Sequence, residues 1–426
     1  MARKWYKLDN AAKIFPAVSN SKRSNVFRLS FEMVNEVDPL VLQKALELTI
    51  QRFPMLKVKL KKGLFWFYFE DNENTPIIEP ESPNVCRMFV NHKENNGYKF
   101  RLSYFDKRIA LETFHSLTDG TGALEFLKSI VYTYLTLKDV HIDSQEILTN
   151  EVEVNREEIT DFFNTHYNPK LKNTRKEYKS LKYTAPQYED DWMGVIVGTC
   201  DIGELKGVAK KFNCTITELL ASLVIYSCYR RRHIFENKDK PYTMFIPVNL
   251  RRFFPSKTLR NFSLYVRTMV DFSKEHSFES ILEVVKKDMK EELQKETLQM
   301  RFTSNVRTER NFALRIAPIF IKQFAMRIGY NILADQIHSF SFSNLGVFDL
   351  PDEMKKHIDK VIFTTGCSKN TPVNLGAITF NNKITITFSS YLLDRSIQKY
   401  FFRFLANEGV NLTIESNELE VWHEKM

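Results

Sequence analysis

The sequence predicts a mixed α/β fold, an α+β sandwich built twice in one chain. Three observations predict it. Apolar residues recur at helical spacing in some segments and alternate at period two in others, and the two kinds of segment alternate along the chain. Two units of similar size flank a polar stretch, Lys138 to Asp191, rich in Asn, Glu and Lys. The 426 residues are 43% hydrophobic and 13% aromatic, with 35 Phe, enough for sizeable cores and against disorder. Only 13 Gly and 14 Pro leave little for long flexible linkers. The reading divides the chain into a first unit, 1–175, and a second, 176–426, with no internal sequence repeat.

The elements follow in order. Asp38 caps a helix with Pro39 at its first position, and Leu42, Ala45, Leu46, Thr49, Ile50 and Phe53 share its apolar face. Lys57 to Phe69 alternates as strand, turn, strand around Lys62-Gly63. Tyr98–Phe105 and Ile109–Phe114 form a hairpin turning at Asp106-Lys107-Arg108, and Thr121 to Leu135 is a helix. The polar stretch reads as the link between units. In the second unit Thr215-Ile216-Thr217-Glu218 matches a capping box that opens an apolar helix to about Tyr229. Tyr242–Val248 and Ser263–Val270 are strands, and His276 to Leu298 is one amphipathic helix. Ser339–Ser343 and Lys360–Thr365 are strands. Ala377–Phe380 and Ile384–Phe388 form a hairpin across Asn381-Asn382, and Asp394 caps a final helix.

Charge and cysteine usage bound the function. Net charge is +9, with basic clusters at Arg230 to Arg232, Arg251-Arg252 and around Lys286, Lys287 and Lys290. No nucleic-acid motif accompanies them. A mild positive field suits an anionic small molecule or acidic protein; ordinary solubility is the plain alternative. The five cysteines, Cys86, Cys200, Cys214, Cys228 and Cys367, are odd in number and scattered without CxxC, which reads as reduced cytosolic thiols and no zinc site. The N-terminus lacks the apolar core of a signal peptide. No run reaches the roughly 18 apolar residues of a membrane span. The closest approach is Phe312 to Leu333, broken by Arg315, Pro318, Lys322 and Arg327, and the expectation there is a buried or groove-lining helix.

One segment carries chemistry. Ile109 to Gly120 reads IALETFHSLTDG: a strand ends on His115, Asp119-Gly120 makes a tight turn, and a helix follows. Histidine titrates nearest neutral pH, so one held at a strand end can take a proton from a nucleophile. Gly120 permits a turn that a side chain would obstruct. Of the other histidines, His92, His141, His166, His233, His276, His357 and His423 sit in polar stretches and are expected at the surface. His338 precedes a strand and is the other candidate for the site. No serine sits in a nucleophile elbow and no cysteine pairs with a nearby histidine in sequence, so a covalent enzyme intermediate is not expected. Metal-ligand spacing is lacking as well.

HSLTDG resembles the HxxxDG signature of the coenzyme A-dependent acyltransferase superfamily, which includes chloramphenicol acetyltransferase, condensation domains and alcohol acetyltransferase-like proteins. Phe245 to Arg251 (FIPVNLR) with Arg260-Asn261-Phe262 is similar to the family's strand-Arg-Asn-Phe segment, and Ser339 to Gly346 (SFSFSNLG) to its late strand and turn. The opening WYKLDNAAKIFPAV and the segment LQKALELTIQRFPML look like alcohol acetyltransferase relatives, so the resemblance runs from Trp5 to about Phe404. It implies two similar lobes with a tunnel between them and His115 at its middle. The implied activity moves an acyl group from acyl-CoA to a hydroxyl or amine acceptor, with His115 as general base and no bound cofactor. It also implies that Asp119 points away from the site and pairs with an arginine; Arg251 is the best match. Ser341, Ser343 and Asn344 are candidates to donate to the oxyanion or line the tunnel; the alternative is an ordinary strand with a turn at Asn344 and Gly346. FSNLG stands where some relatives carry an aromatic DFGWG loop. Two rivals stay open: a free-standing condensation-type synthase fed by an acyl carrier protein, and an idle acyltransferase-like binding protein. No nucleic-acid or integral membrane role is expected, and the expected location is cytoplasmic.

Overall fold

The computed structural model describes residues 4–90, 94–144, 147–172, 175–189, 192–236, 239–330 and 335–417. His92, His423 and the end of the apolar run at Leu333 lie outside them. The first part of the chain forms β1 (Trp5–Lys7), α1 (Phe15–Val18), β2 (Val26–Met33), α2 (Pro39–Thr49), β3 (Val58–Lys62), β4 (Phe67–Asp71), β5 (Ile78–Pro80), β6 (Phe100–Phe105), β7 (Arg108–Phe114), α3 (Gly120–Thr136) and α4 (Phe162–Thr165). Next come β8 (Lys182–Tyr183), β9 (Gly194–Asp201), α5 (Ile202–Lys211), α6 (Ile216–Arg230), β10 (Phe235–Glu236), β11 (Tyr242–Asn249), β12 (Ser263–Val270), α7 (Phe278–Glu292), α8 (Lys295–Arg310), α9 (Phe312–Ile316) and α10 (Ile319–Gly329). The chain finishes with β13 (Phe340–Val347), α11 (Asp352–Lys355), β14 (Ile358–Thr364), β15 (Val373–Phe380), β16 (Lys383–Ser390), α12 (Ser396–Asn407) and β17 (Thr413–Ser416).

Local signals account for most boundaries. The Asp38 carboxylate accepts from the Leu40 and Val41 amides at the start of α2, with Pro39 first in the helix. Thr215 and Glu218 form the capping box of α6. Asn381 and Asn382 take positive φ, 45° and 62°, as a two-residue hairpin turn between β15 and β16 requires. Asp394 accepts from the Ser396 amide and hydroxyl where α12 begins.

Two large sheets organise the molecule. One has strand order β14-β2-β7-β6-β5 and the other β12-β11-β13-β15-β16-β9-β17. Within the second, β13 runs parallel to both β11 and β15; the remaining pairs in that sheet are antiparallel. One apolar core packs α2 and α3 on the first sheet, around Leu46, Phe100, Leu111 and Leu127. The other packs α5, α6, α7 and α12 on the second, around Leu220, Val224, Ile281 and Phe388. A third, smaller cluster joins Val26 and Phe114 to Val195, Val197 and Ile362 between the sheets. The lobes exchange segments. Strand β14 pairs with β2, although it lies late in the chain. Phe162 and Phe163 sit in the second core.

Three expectations need correction. The amphipathic helix predicted from His276 to Leu298 is two helices: α7 caps at Leu293, Gln294 is extended, and α8 begins at Lys295. The apolar part of the buried face of α8 is a single row, Leu298, Phe302 and Val306, flanked by the buried polar residues Arg301 and Thr303, too narrow to register as a separate helix. The polar stretch is no loose link, because Glu158 is buried and takes a two-pronged bond from Arg52 at 2.8 and 2.9 Å. The run from Phe312 is not a buried helix: Phe312, Leu314, Phe320 and Phe324 are exposed, while Ile319 and Lys322 pack inward and Tyr330 at its described end lines a cavity. No described single helix is long and apolar enough to cross a membrane.

Candidate active site

A cavity of about 680 Å³ lies between the lobes. Its wall takes His115, Asp119, Gly120 and Thr121 from the end of β7 and the start of α3. The second lobe contributes Asn249 and Arg252, Thr217 of α6, Met289 of α7, and Ser341, Ser343 and Asn344 of β13. The alternation of β13 explains the last group: Phe340 and Phe342 are buried in the core, which turns Ser341 and Ser343 to the opposite face. His338 also lines the cavity, stacked on Phe245 at 4.5 Å.

His115 follows directly on β7. Its amide donates to the Asn25 carbonyl at 2.9 Å, which fixes the backbone where the strand stops. Its ring stacks on Phe15 of α1 at 4.7 Å and meets the edge of Phe27 at 5.2 Å. Nδ1 lies 2.9 Å from Oδ1 of Asn261. Asn261 is itself oriented, because its Nδ2 donates to the buried Asp9 carboxylate at 3.1 Å. The amide oxygen therefore faces the imidazole, and an amide oxygen only accepts. Nδ1 carries the proton, and Nε2 is left with its lone pair. Burial lowers the His115 pKa below the ordinary 6.5, partly offset by its own backbone, the Asp119 charge and Asn261. The ring is neutral near pH 7.

Asp119 has no capacity left for a triad. Oδ1 accepts from the Thr121 and Gly122 amides and caps α3. Oδ2 accepts from the Phe262 amide at 2.8 Å. Arg251 donates to Oδ2 at 2.8 Å and to Oδ1 at 3.2 Å. Arg251 further holds the carbonyls of Thr258 and Arg260 and is not part of the cavity wall. The pair ties the start of α3 to the β11–β12 connection across the lobe boundary.

Gly120 has a different reason from the expected one. Its φ is not positive; a Cβ there would lie 2.8 Å from Leu345 Cδ2 of the other lobe. Gly122 is tighter still, with the Leu259 carbonyl oxygen 2.2 Å from where its Cβ would stand. Asn344 donates to the Thr217 hydroxyl at 3.0 Å and accepts from the Gly346 amide at 2.9 Å, so its side chain is engaged in fixing its own loop. Of the basic clusters, Arg252 reaches the cavity wall and Arg230 to Arg232 do not. His166 is half-buried rather than fully at the surface, its ring packed against Phe162, Phe254 and Phe262.

Sequence reasoning missed Asp9, Gly122 and Cys367. Asp9 lies in the opening segment WYKLDNAAKIFPAV, where nothing in the sequence marked it out for a role at the site. Cys367 lines the cavity, but burial pushes its thiol well up and the Sγ donates to the Ser389 carbonyl. It is a poor nucleophile there.

The same architecture occurs in solved structures at low identity. The trichothecene 15-O-acetyltransferase of Fusarium sporotrichioides matches at TM-score 0.61 and 10% identity, covering 95% of this chain and 94% of that one. A wax ester synthase/diacylglycerol acyltransferase from Marinobacter aquaeolei matches at 0.53 and 11%, covering 95% and 100%. The starter condensation domain of rhizomide synthetase, as a mutant in complex with an eight-carbon CoA, matches at 0.58 and 13%, covering 94% of each chain. No curated protein sequence matches the chain. A profile of alcohol acetyltransferases matches residues 168–399, the span that supplies Asn249, Arg251, Asn261, Ser341 and Ser343. With more than half its length matched, the chain belongs to the alcohol acetyltransferase family and is an acyltransferase.

Proposed function

We propose that this acyltransferase moves an acyl group from acyl-CoA to a hydroxyl acceptor, with His115 as general base and no covalent acyl-enzyme. The observation that carries the reading is the fixed tautomer: Asn261 holds Nδ1–H, so Nε2 is a free base on the wall of an interlobe cavity. The acceptor O–H gives its proton to Nε2 as its oxygen attacks the thioester carbonyl carbon. The tetrahedral oxyanion takes hydrogen bonds from donors already in place, for which the Ser341 and Ser343 hydroxyls are the candidates. The C–S bond then breaks, and the imidazolium returns the proton to the leaving thiolate. The products are an ester and free coenzyme A. The high thiol pKa of Cys367 supports transfer without a cysteine acyl-enzyme.

A cavity shared by two lobes suits a tunnel in which donor and acceptor meet end to end. The test is thiol release from acyl-CoA donors of several chain lengths against a panel of alcohols and amines, with mass spectrometry of the product and of the protein. Ester product with no acylated protein agrees with the proposal. Turnover only with a carrier-protein thioester would replace it with a condensation-type synthase, and an acyl adduct on the enzyme would exclude direct transfer.

A further inference from the structure

Helix α10 is built inside out. Its residues Phe320 and Phe324 are 65% and 68% exposed, and Ile321 and Ile328 extend the same outer face. Its one lysine, Lys322, is 4% exposed and packs inward over the Trp66 ring at 3.7 Å, donating to the Phe65 and Arg315 carbonyls. An ordinary surface helix has the opposite arrangement.

The apolar face continues beyond the helix. Phe312, Leu314 and Ile316 of α9 are exposed. The amide of Ile319 donates to the Leu64 carbonyl at 2.8 Å, which sets the β3–β4 tip against α10, and Leu64 and Phe65 there are exposed too. Beside them a recess of about 550 Å³ is lined by Trp5, Lys7, Phe65, Trp66 and Arg315, among others. A contiguous exposed patch of this kind marks an interaction surface.

The acids of the recess, Glu70 and Glu309, are paired with Lys59 and Lys13, and the charges on the exposed apolar segments themselves are of one sign. Between Asn311 and Tyr330 the sequence has Arg315, Lys322 and Arg327 and no Asp or Glu. Lys57 to Phe69 has four lysines, Lys57, Lys59, Lys61 and Lys62, and again no acid. Lys61, Lys62 and Arg315 are exposed. An aromatic and aliphatic face bordered by basic residues complements an anionic lipid interface, where apolar side chains enter the acyl boundary and cations meet headgroups. A second copy of the same surface would instead bring like charges together.

The patch is also close to the chemistry. Arg327 donates to the Ala17 carbonyl at 2.8 Å, so α10 packs on α1, and Phe15 of α1 stacks on His115. Tyr330, directly after α10, lines the interlobe cavity. We infer that α9, α10 and the β3–β4 tip form a docking surface for an anionic lipid bilayer, seating the molecule with this wall of the cavity against the membrane.

The experiment is co-sedimentation of the full chain with vesicles of phosphatidylcholine mixed with phosphatidylserine, beside vesicles of phosphatidylcholine alone. The wild type is expected to bind the anionic vesicles and to be released by salt. The double variant Phe320→Ser, Phe324→Ser is expected to bind at least about tenfold more weakly, since two phenyl groups no longer leave water. Its melting temperature and its turnover of water-soluble substrates are expected to stay at wild-type levels. Lys61→Glu, Lys62→Glu is expected to lose the preference for anionic vesicles. Failure of the wild type to sediment with either vesicle, or equal binding by the Phe320→Ser, Phe324→Ser variant, would overturn the inference. So would a wild-type dimer in sedimentation velocity that this variant dissociates, which would make the patch a self-association surface.

Discussion

At the residue scale the site depends on which nitrogen of His115 bears the proton. Asp9 orients Asn261, and Asn261 orients the imidazole. His115→Ala is expected to lower turnover by about 10² to 10⁴ with little change in melting temperature, because one base contributes on that order. Asn261→Ala leaves the base but frees the ring, and a fall in kcat of about 10² with a smaller change in KM is expected. A wild-type kcat in His115→Ala would remove His115 from the mechanism, and one in Asn261→Ala would remove the orienting role of Asn261. The pH profile checks the electrostatics. Burial disfavours the imidazolium, so the base form persists to lower pH, and the acid limb of kcat/KM is expected below 6.5. Asp9 works in the other sense. Burial raises its pKa from 3.8 to about 6 despite Arg260 nearby. Its folded pKa lies above its unfolded one, so the stability it contributes is present at low pH and is lost as pH rises through about 6. Relative to Asp9→Asn, the wild type is therefore expected to gain about 1 kcal/mol on moving from pH 7 to pH 5, read by urea unfolding. A difference that does not change with pH would mean that Asp9 stays ionised throughout.

At the element scale the HxxxDG turn is a joint between lobes. Asp119 satisfies the first turn of α3 and the Phe262 amide while Arg251 holds it from the other side. Removing either partner leaves a largely buried charge alone, a loss on the order of 3–5 kcal/mol. Asp119→Asn and Arg251→Ala are each expected to lower stability, and the double mutant to be less than additive. Strict additivity would exclude the pairing in solution. Gly122→Ala is expected to separate α3 from the Leu259 carbonyl and reduce activity, a clash no local rule announces. The elements themselves were largely legible. Caps at Asp38 and Thr215 and the Asn381-Asn382 turn are side chains satisfying their own backbone, so they show in sequence. Contacts between distant segments do not. Asp9 and Asn261 are 252 positions apart, and nothing near either residue signals the other. The inside-out character of α10 was hidden for the same reason: apolar spacing predicts a face, and only the fold decides whether that face is covered.

At the scale of the whole molecule, neither lobe is a continuous piece of chain. Strand β14 completes the first sheet while the Thr385 hydroxyl of the second sheet donates to its Val361 carbonyl at 2.7 Å. A division at residue 175 was suggested by polar composition, but Phe162 and Phe163 already belong to the second core. Because each core contains segments of the other half, thermal unfolding is expected as one transition rather than two. The cavity follows from the same arrangement. Its wall reaches Thr217, Met289 and Leu293 of the α6–α7 side, and separately Arg23, Tyr330 and His338, with His115 also on it. Donor and acceptor entering from opposite ends would meet at the histidine without competing for one mouth. In the proposed end-to-end tunnel, Met289→Trp and Leu293→Trp would narrow the α6–α7 side, and Thr371→Trp would narrow the side beside His338. Each group is expected to raise KM for one substrate severalfold and leave the other nearly unchanged, measured by steady-state kinetics with both substrates varied. If narrowing either end raised both KM values together, the two substrates would share an entrance, and the end-to-end arrangement would be wrong even with His115 as the base.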